Sequence, residues 1–322
     1  MSAAAPDPAT SGHATTSRRE WAMLGALLVL LGAGWGLTQP MAKIAVSEGY
    51  RHIGIVFWQF VLSGGVLGAI CAARRLPLRR DAQAMRLYVL IALIGTLLPN
   101  AASYEAARHL PAGWLSITLS MVPLFAFPIA LAWGIDRFSP ARLTGLILGL
   151  VGVALLALPV QSWITGDASL GAVTLAMALW LPLALLAPAF YALEGNVVAR
   201  WGIAGMDPVQ LLFGASLVGA VLALPLALAT RTFIDPRPPW GAPDGAIVVS
   251  SVVHALVYAS YVWMVGRAGA VFAAQVSYLV TGFGVLWAIL ILGESYGAGF
   301  WAAMACMFTG LFLVQPRPAA AR

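Results

Sequence analysis

Continuously apolar runs recur along the whole chain, and most of the charged residues sit in the short breaks between them. Stretches such as Trp21 to Leu31 and Leu143 to Leu158 show no alternation of polar and apolar positions. About 20 helical residues cross a hydrocarbon core of about 30 Å. A spanning β-barrel would instead need alternating segments of about 10 residues. In lipid the backbone must satisfy its own hydrogen bonds, so continuous apolar runs read as helices. Ten spans are predicted, at roughly 21–44, 53–73, 86–106, 111–133, 142–159, 174–199, 207–229, 246–266, 269–292 and 297–314. The predicted fold class is an all-α integral membrane protein with ten transmembrane helices.

Composition agrees with this pattern. Of the 322 residues, 61% are hydrophobic and only 9% are charged, against roughly 25% charged in a soluble domain. The formal net charge of +6 does not point to nucleic acid, because the basic residues are scattered through the breaks and form no patch. Cys71 and Cys306 lie in apolar segments and read as small buried residues, with no metal or disulfide framework. Residues 1–19 are rich in Ala, Ser, Thr and Pro and are expected to form a disordered cytoplasmic tail. Arg18 and Arg19 resemble a twin-arginine export signal only faintly. They read better as anchor charges before the first span.

The breaks also set the orientation. With the N-terminus inside, Lys43, Arg51, Arg108, Arg231 and Arg237 fall outside and the other thirteen basic residues fall inside. This asymmetry predicts both termini in the cytoplasm and a multi-pass protein of the cell inner membrane. The break 230–245 holds Pro236, Pro238, Pro239 and Pro243 and cannot be helical throughout.

A shift of 158 residues lays the first half on the second. Ile135-Asp136-Arg137-Phe138 then falls on Gly293-Glu294-Ser295-Tyr296, and Gly152 falls on Gly310. Asn100 aligns with Tyr258, Ser103 with Tyr261 and Ser120 with Tyr278. Each half holds five spans. An odd number inverts the second half, a recurrent design in transporters. The expected organisation is residues 20–159 as a first repeat, 160–173 as a linker, 174–315 as a second repeat and 316–322 as a cytoplasmic tail.

Several loose motifs agree with this layout. They are Gly34-Trp35-Gly36 with Lys43 in span 1, Tyr104 and Pro123 in spans 3 and 4, and Leu292-Gly293-Glu294 with Gly310 at the end. Together they make residues 21–315 similar to the drug/metabolite transporter superfamily, and specifically to its ten-span EamA-type members. Ile135-Asp136 stands where that family is expected to carry Gly-Glu, and Thr281 stands where it often carries proline. The resemblance implies two inverted five-helix repeats around a central cavity. It does not choose among amino acids, other metabolites, nucleotide derivatives and drugs.

Polar groups inside a bilayer are costly and mark candidate sites. Glu105 and Glu194 are the acidic residues well within spans, and each could carry a proton or bind a cationic substrate. In span 8, Ser251, His254, Tyr258 and Tyr261 share one helical face. Span 9 offers Gln275, Tyr278 and Gly282; span 4 offers Ser116 and Ser120; span 1 offers Trp35, Gln39 and Lys43, the last expected to snorkel to the outer interface. Span 2 adds Trp58, Gln59 and Ser63. The predicted substrate pathway comprises Trp35, Gln39, Gln59, Asn100, Tyr104, Ser120, Tyr191, Glu194, His254, Tyr258, Tyr261, Gln275 and Tyr278. Candidates for proton coupling are Glu194, Glu105 and His254. Helix packing with satisfied hydroxyls is the plainer reading of these groups. Intramolecular packing is likewise the plainer reading of Gly64, Gly68, Gly145 and Gly149.

The predicted function is secondary transport, exporting a small polar or amphipathic metabolite, amino acid or drug-like, by alternating access. No phosphate-binding loop of the Gly-x-x-x-x-Gly-Lys type is present, which argues against direct ATP drive. The alternatives are a non-transporting structural or sensory membrane protein and a membrane-embedded lipid enzyme. The enzyme reading is disfavoured because His13, His52, His109 and His254 are scattered without a catalytic motif. No cofactor or metal is expected. The expected partners are a small-molecule substrate and the lipid bilayer, not nucleic acid, with the chain a monomer or homodimer.

Overall fold

The computed structural model describes residues 18–134, 137–166, 168–268 and 275–314. These residues are helical and contain no strand. Eight helices are long and apolar enough to cross a membrane: α1 Ala22–Ala45, α2 His52–Ala73, α3 Ala82–Ala107, α4 Ala112–Ala132, α5 Pro140–Ala157, α6 Thr174–Trp201, α7 Pro208–Ala229 and α8 Ala242–Tyr261. Two shorter apolar helices follow, α9 Val276–Leu292 and α10 Ala298–Val314. They complete a ten-helix membrane protein. The region expected to be a linker, 160–173, carries a short helix, Val160–Thr165, and the start of a second, Ala168–Ala178. The residues predicted to begin span 9, 269–274, and the tails 1–17 and 315–322 lie outside the described residues, as does Asp136.

Interruptions within the spans have a common chemical cause. A proline has no N–H to give to the carbonyl four residues earlier. In α3 a π-helical turn, Ile91–Leu97, precedes Pro99 and contains Gly95, the residue whose carbonyl Pro99 cannot bond. In α4 the first helical segment stops at Leu119, four residues before Pro123. In α6 the chain turns at Leu179 and Trp180, directly after Ala178 and before Pro182. Pro40, Pro128, Pro188 and Pro225, in contrast, sit inside helices that continue through them. The missing N–H is therefore permissive, and packing decides whether the helix opens.

The packing pattern carries the inverted repeat. α1 packs on α8 and α9, as α6 packs on α3 and α4. α2 packs on α8, as α7 packs on α3. The pairs α2–α7, α4–α9 and α5–α10 each pack on their own counterpart. Every one of these pairings is preserved when each helix is exchanged for the one five places away. Two five-helix repeats thus enclose a common centre.

Small residues set the close approaches. A Cβ on Gly145 would lie 2.6 Å from the Gly310 carbonyl oxygen, so the α5–α10 pair depends on bare backbone there. Gly64 and Gly68 face Ser216 and Phe213 of α7. The glycine pairs noted in the sequence thus serve contacts within the chain. Outward from these seams, Ile147 and Leu150 on α5, Val221 on α7 and Phe312 on α10 are exposed, as lipid-facing side chains would be.

Candidate functional site

A cavity of about 370 Å³ lies where the two repeats meet. Seven of the ten spans line it: α1, α2, α3 and α4 from the first half, and α6, α8 and α9 from the second. Its size falls at the lower end of the range for small-molecule sites.

The first-half wall is a closed polar network. The Asn100 Nδ2 donates to the Gln59 Oε1 at 2.9 Å. The Tyr104 hydroxyl approaches the same oxygen at 3.4 Å, and the Tyr191 hydroxyl of α6 donates to the Asn100 Oδ1. Gln59, Asn100 and Tyr104 are all buried. The side-chain oxygens of Gln59 and Asn100 are thereby satisfied, which fixes side chains that would otherwise cost energy unpaired.

The second-half wall is aromatic and holds the charge. His254, Tyr258 and Tyr261 of α8 surround Trp35 of α1. The ring centroids lie 6.3, 6.0 and 5.2 Å from that of Trp35, in tilted or edge-on arrangements, within the range of favourable aromatic pairs. Glu194 of α6 is the single carboxylate on the wall among the described residues. Its carboxyl group lies against Gly95, where a Cβ would come within 2.5 Å of its Oε1. The π turn that precedes Pro99 therefore presents a residue without a side chain to the acid.

The structure brings ten of the thirteen predicted pathway residues to this cavity: Trp35, Gln39, Gln59, Asn100, Tyr104, Tyr191, Glu194, His254, Tyr258 and Tyr261. Ser120, Gln275 and Tyr278 lie off it. Ser120 is fully buried at the break in α4, and its hydroxyl donates to the Ile117 carbonyl at 2.7 Å. Gln275 is partly buried just before α9. Tyr278 turns toward α10 and meets the Phe308 ring edge-on at 5.7 Å. Ser251 of the α8 stripe is fully buried and donates to the Ile247 carbonyl, so its neighbour Ser250 reaches the cavity instead. Thr38, Ser103 and Ser277 also line the cavity without having been singled out. The helical spacing of Thr38 with Trp35 and of Ser103 with Asn100, and the repeat alignment of Ser103 with Tyr261, were the sequence signals for the first two.

Glu105 lies away from the cavity, near the end of α3. It accepts from Arg108 at 2.8 Å and pairs with His52 at 2.9 Å. Lys43, the candidate for snorkelling, makes specific contacts at the α3–α4 turn. Its ammonium donates to the carbonyls of Ala107 and Leu110 at 2.8 and 3.0 Å, capping the end of α3. Glu294, just past α9, accepts from the amides of Ala112 and Gly113 at 2.8 and 3.1 Å and caps the start of α4. One lysine and one glutamate thus hold both sides of the α3–α4 turn. The Tyr296 hydroxyl donates to Glu294, and burial first, then the adjacent carboxylate, raises its pKa. Nearby, the Tyr50 hydroxyl donates to Asp244 at 2.9 Å. Burial and that hydrogen bond raise its pKa too. Both phenols are therefore held as donors. Among the described residues no group of three or more His, Cys, Asp or Glu side chains is placed to hold a metal ion.

Comparison with known proteins places this architecture. The model of the EamA-like transporter family matches residues 23–158 and again 178–315. The chain is 24% identical to "Uncharacterized transporter YvbV" of Bacillus subtilis (strain 168), with 92% of each sequence covered. It is 23% identical to "WAT1-related protein At4g16620" of Arabidopsis thaliana, over 70% of this chain and 68% of that one. A solved structure described only as "Crystal structure of protein" superposes with a TM-score of 0.58 at 18% identity, covering 91% of this chain and 96% of the other. That likeness concerns the fold alone. The two family matches fall one on each five-helix half, so the chain belongs to the EamA-like transporter family.

Proposed function

We propose, from this membership, that the protein is a secondary transporter that exports a small polar or amphipathic metabolite by alternating access. The observation that carries this reading is the cavity at the repeat interface, walled by both halves. A site between two inverted repeats can be exposed to either side by rocking one repeat against the other. The sequence holds no phosphate-binding loop, so the drive is a proton gradient or exchange. Glu194 is the first candidate for coupling, since it is the carboxylate on the wall, with His254 as the second. The Lys43 and Glu294 caps at the α3–α4 turn lie at the end that the basic residues assign to the outside. These ties are the ones that would have to part for an outward opening. The basic residues also support the inner membrane of a bacterial-type cell, with both termini in the cytoplasm.

The test is transport into vesicles reconstituted with the full chain, using a panel of amino acids, amines and drug-like compounds. At least one compound should cross faster than in empty vesicles. If none does, and none shifts thermal stability, the transport reading fails. Glu194→Gln should alter the pH dependence of transport while the protein still folds. An unchanged pH profile would remove Glu194 as the proton carrier.

A further inference from the structure

Taken together, the cavity groups carry a chemical bias that selects among the substrates a transporter of this kind could take. Among the described residues, Glu194 makes no hydrogen bond or ion pair and no lysine or arginine lines the cavity. The lysine of α1, Lys43, is bound to two backbone carbonyls. The side-chain oxygens of Gln59 and Asn100 already accept, from the Asn100 amide and from tyrosine hydroxyls. Gln39, 7% exposed, leaves its Oε1 without a donor among the described residues. The unspent acceptors on the wall thus include the Gln39 Oε1 and the Glu194 carboxylate, beside the hydroxyls of Tyr258 and Tyr261, which can donate. Around them stand the rings of Trp35, Tyr258 and Tyr261.

We infer that the cavity selects organic cations with an apolar or aromatic body, with Glu194 as their counter-ion and the Trp35 and α8 rings as the surface on which the cation and its body rest. This rests on the transporter reading and narrows it. A carboxylate held within a membrane-spanning helix without a partner is costly. A cationic ligand relieves that cost and gains from the ring faces, which attract a cation within about 6 Å. An anion would meet Glu194 with no compensating cation. A zwitterionic amino acid would satisfy Glu194 with its ammonium but bring its own carboxylate to a wall on which no described lysine or arginine stands. Gly95 belongs to the same device, because its missing side chain gives the carboxyl group room to sit beside α3.

The experiment uses four ligands sharing a phenethyl body: phenethyltrimethylammonium, 2-phenylethanol, 3-phenylpropanoate and phenylalanine. Binding is measured by titration calorimetry on the purified full chain in detergent. The permanent cation should bind at least about tenfold more tightly than the other three, a factor that corresponds to about 1.4 kcal/mol. Glu194→Gln should remove most of that preference, while Glu194→Asp should retain it. Trp35→Leu should weaken the cation severalfold. Equal or tighter binding of the anion or zwitterion, or no binding by the cation, overturns the inference. Should Glu194→Gln fail to fold, the charge preference of the unmodified chain decides. Counterflow of the cation in vesicles separates the two readings. Binding without counterflow supports the site and counts against transport. Counterflow of another compound, with no cation binding, keeps transport and overturns the site.

Discussion

α3 and α8 occupy equivalent places in the two repeats, yet they bring opposite chemistry to the cavity. α3 is interrupted by a π turn and presents Gly95, Asn100, Ser103 and Tyr104. α8 belongs to an unbroken helix, Ala242–Ala268, and presents Ser250, His254, Tyr258 and Tyr261. At the repeat offset, Pro99 corresponds to Val257 and Gly95 to Val253. The second half therefore lacks both the proline that withholds an N–H and the glycine that the wide turn exposes. Asn100 corresponds to Tyr258, an amide with two donors and an acceptor set against a phenol. The first repeat spends its polar groups on holding the wall, and the second leaves rings facing the space. An inverted repeat supplies two copies of one scaffold. The difference between the copies makes the site asymmetric.

The harshest way to break this comparison is Asn100→Leu. It removes the shorter of the two donors to the Gln59 Oε1 and the acceptor of the Tyr191 hydroxyl at once. Leaving buried groups unpaired costs about 1–3 kcal/mol each. The variant should lose about 2–4 kcal/mol of stability, read as a marked fall in the thermal midpoint in detergent, and should lose transport as well. A midpoint within error of the unmodified chain would show that the first-half wall is not held by this network.

The same pair of helices marks how far the sequence could be read. The ten spans were legible because lipid forces every crossing segment to be helical and apolar over a fixed length. The α8 stripe was legible because His254, Tyr258 and Tyr261 recur at helical spacing. Ser120 and Tyr278 looked equally polar but lie off the cavity. Periodicity says which residues share a face and not which neighbour that face meets. Tyr278 meets Phe308, and the Ser120 hydroxyl is absorbed by its own helix. Lys43 pointed to an interface in the sequence, but only tertiary contact could reveal the carbonyls of Ala107 and Leu110. The π turn was the least legible feature. Pro99 announced a missing hydrogen bond, but six other prolines in or near spans did the same, and only one π turn occurs among the described residues.

Pro99→Ala tests the cause of the interruption with a smaller effect. It restores the N–H that could bond the Gly95 carbonyl and gives α3 the chemistry of α8 at this point. The turn should tighten and rotate Gly95 relative to Asn100. Transport should fall severalfold, with stability unchanged or slightly raised, because alanine favours the helix interior. Cysteine accessibility along α3 would report the rotation. An unchanged accessibility pattern with full transport would mean that packing against α6 and α7 holds the wide turn without help from the proline.

The mildest change is Tyr258→Phe, at the position equivalent to Asn100. The ring and its contact with Trp35 remain, and only the hydroxyl is lost. No described hydrogen bond depends on that hydroxyl, so stability should change by less than about 0.5 kcal/mol. Substrate affinity should shift by no more than a few-fold, and the preference for a cation should survive because the ring face is kept. Equal damage from Tyr258→Phe and Asn100→Leu would erase the distinction between a wall that is held and a wall that is offered. Damage confined to Asn100→Leu would mean that the two repeats diverged by dividing structural and recognition roles between equivalent helices.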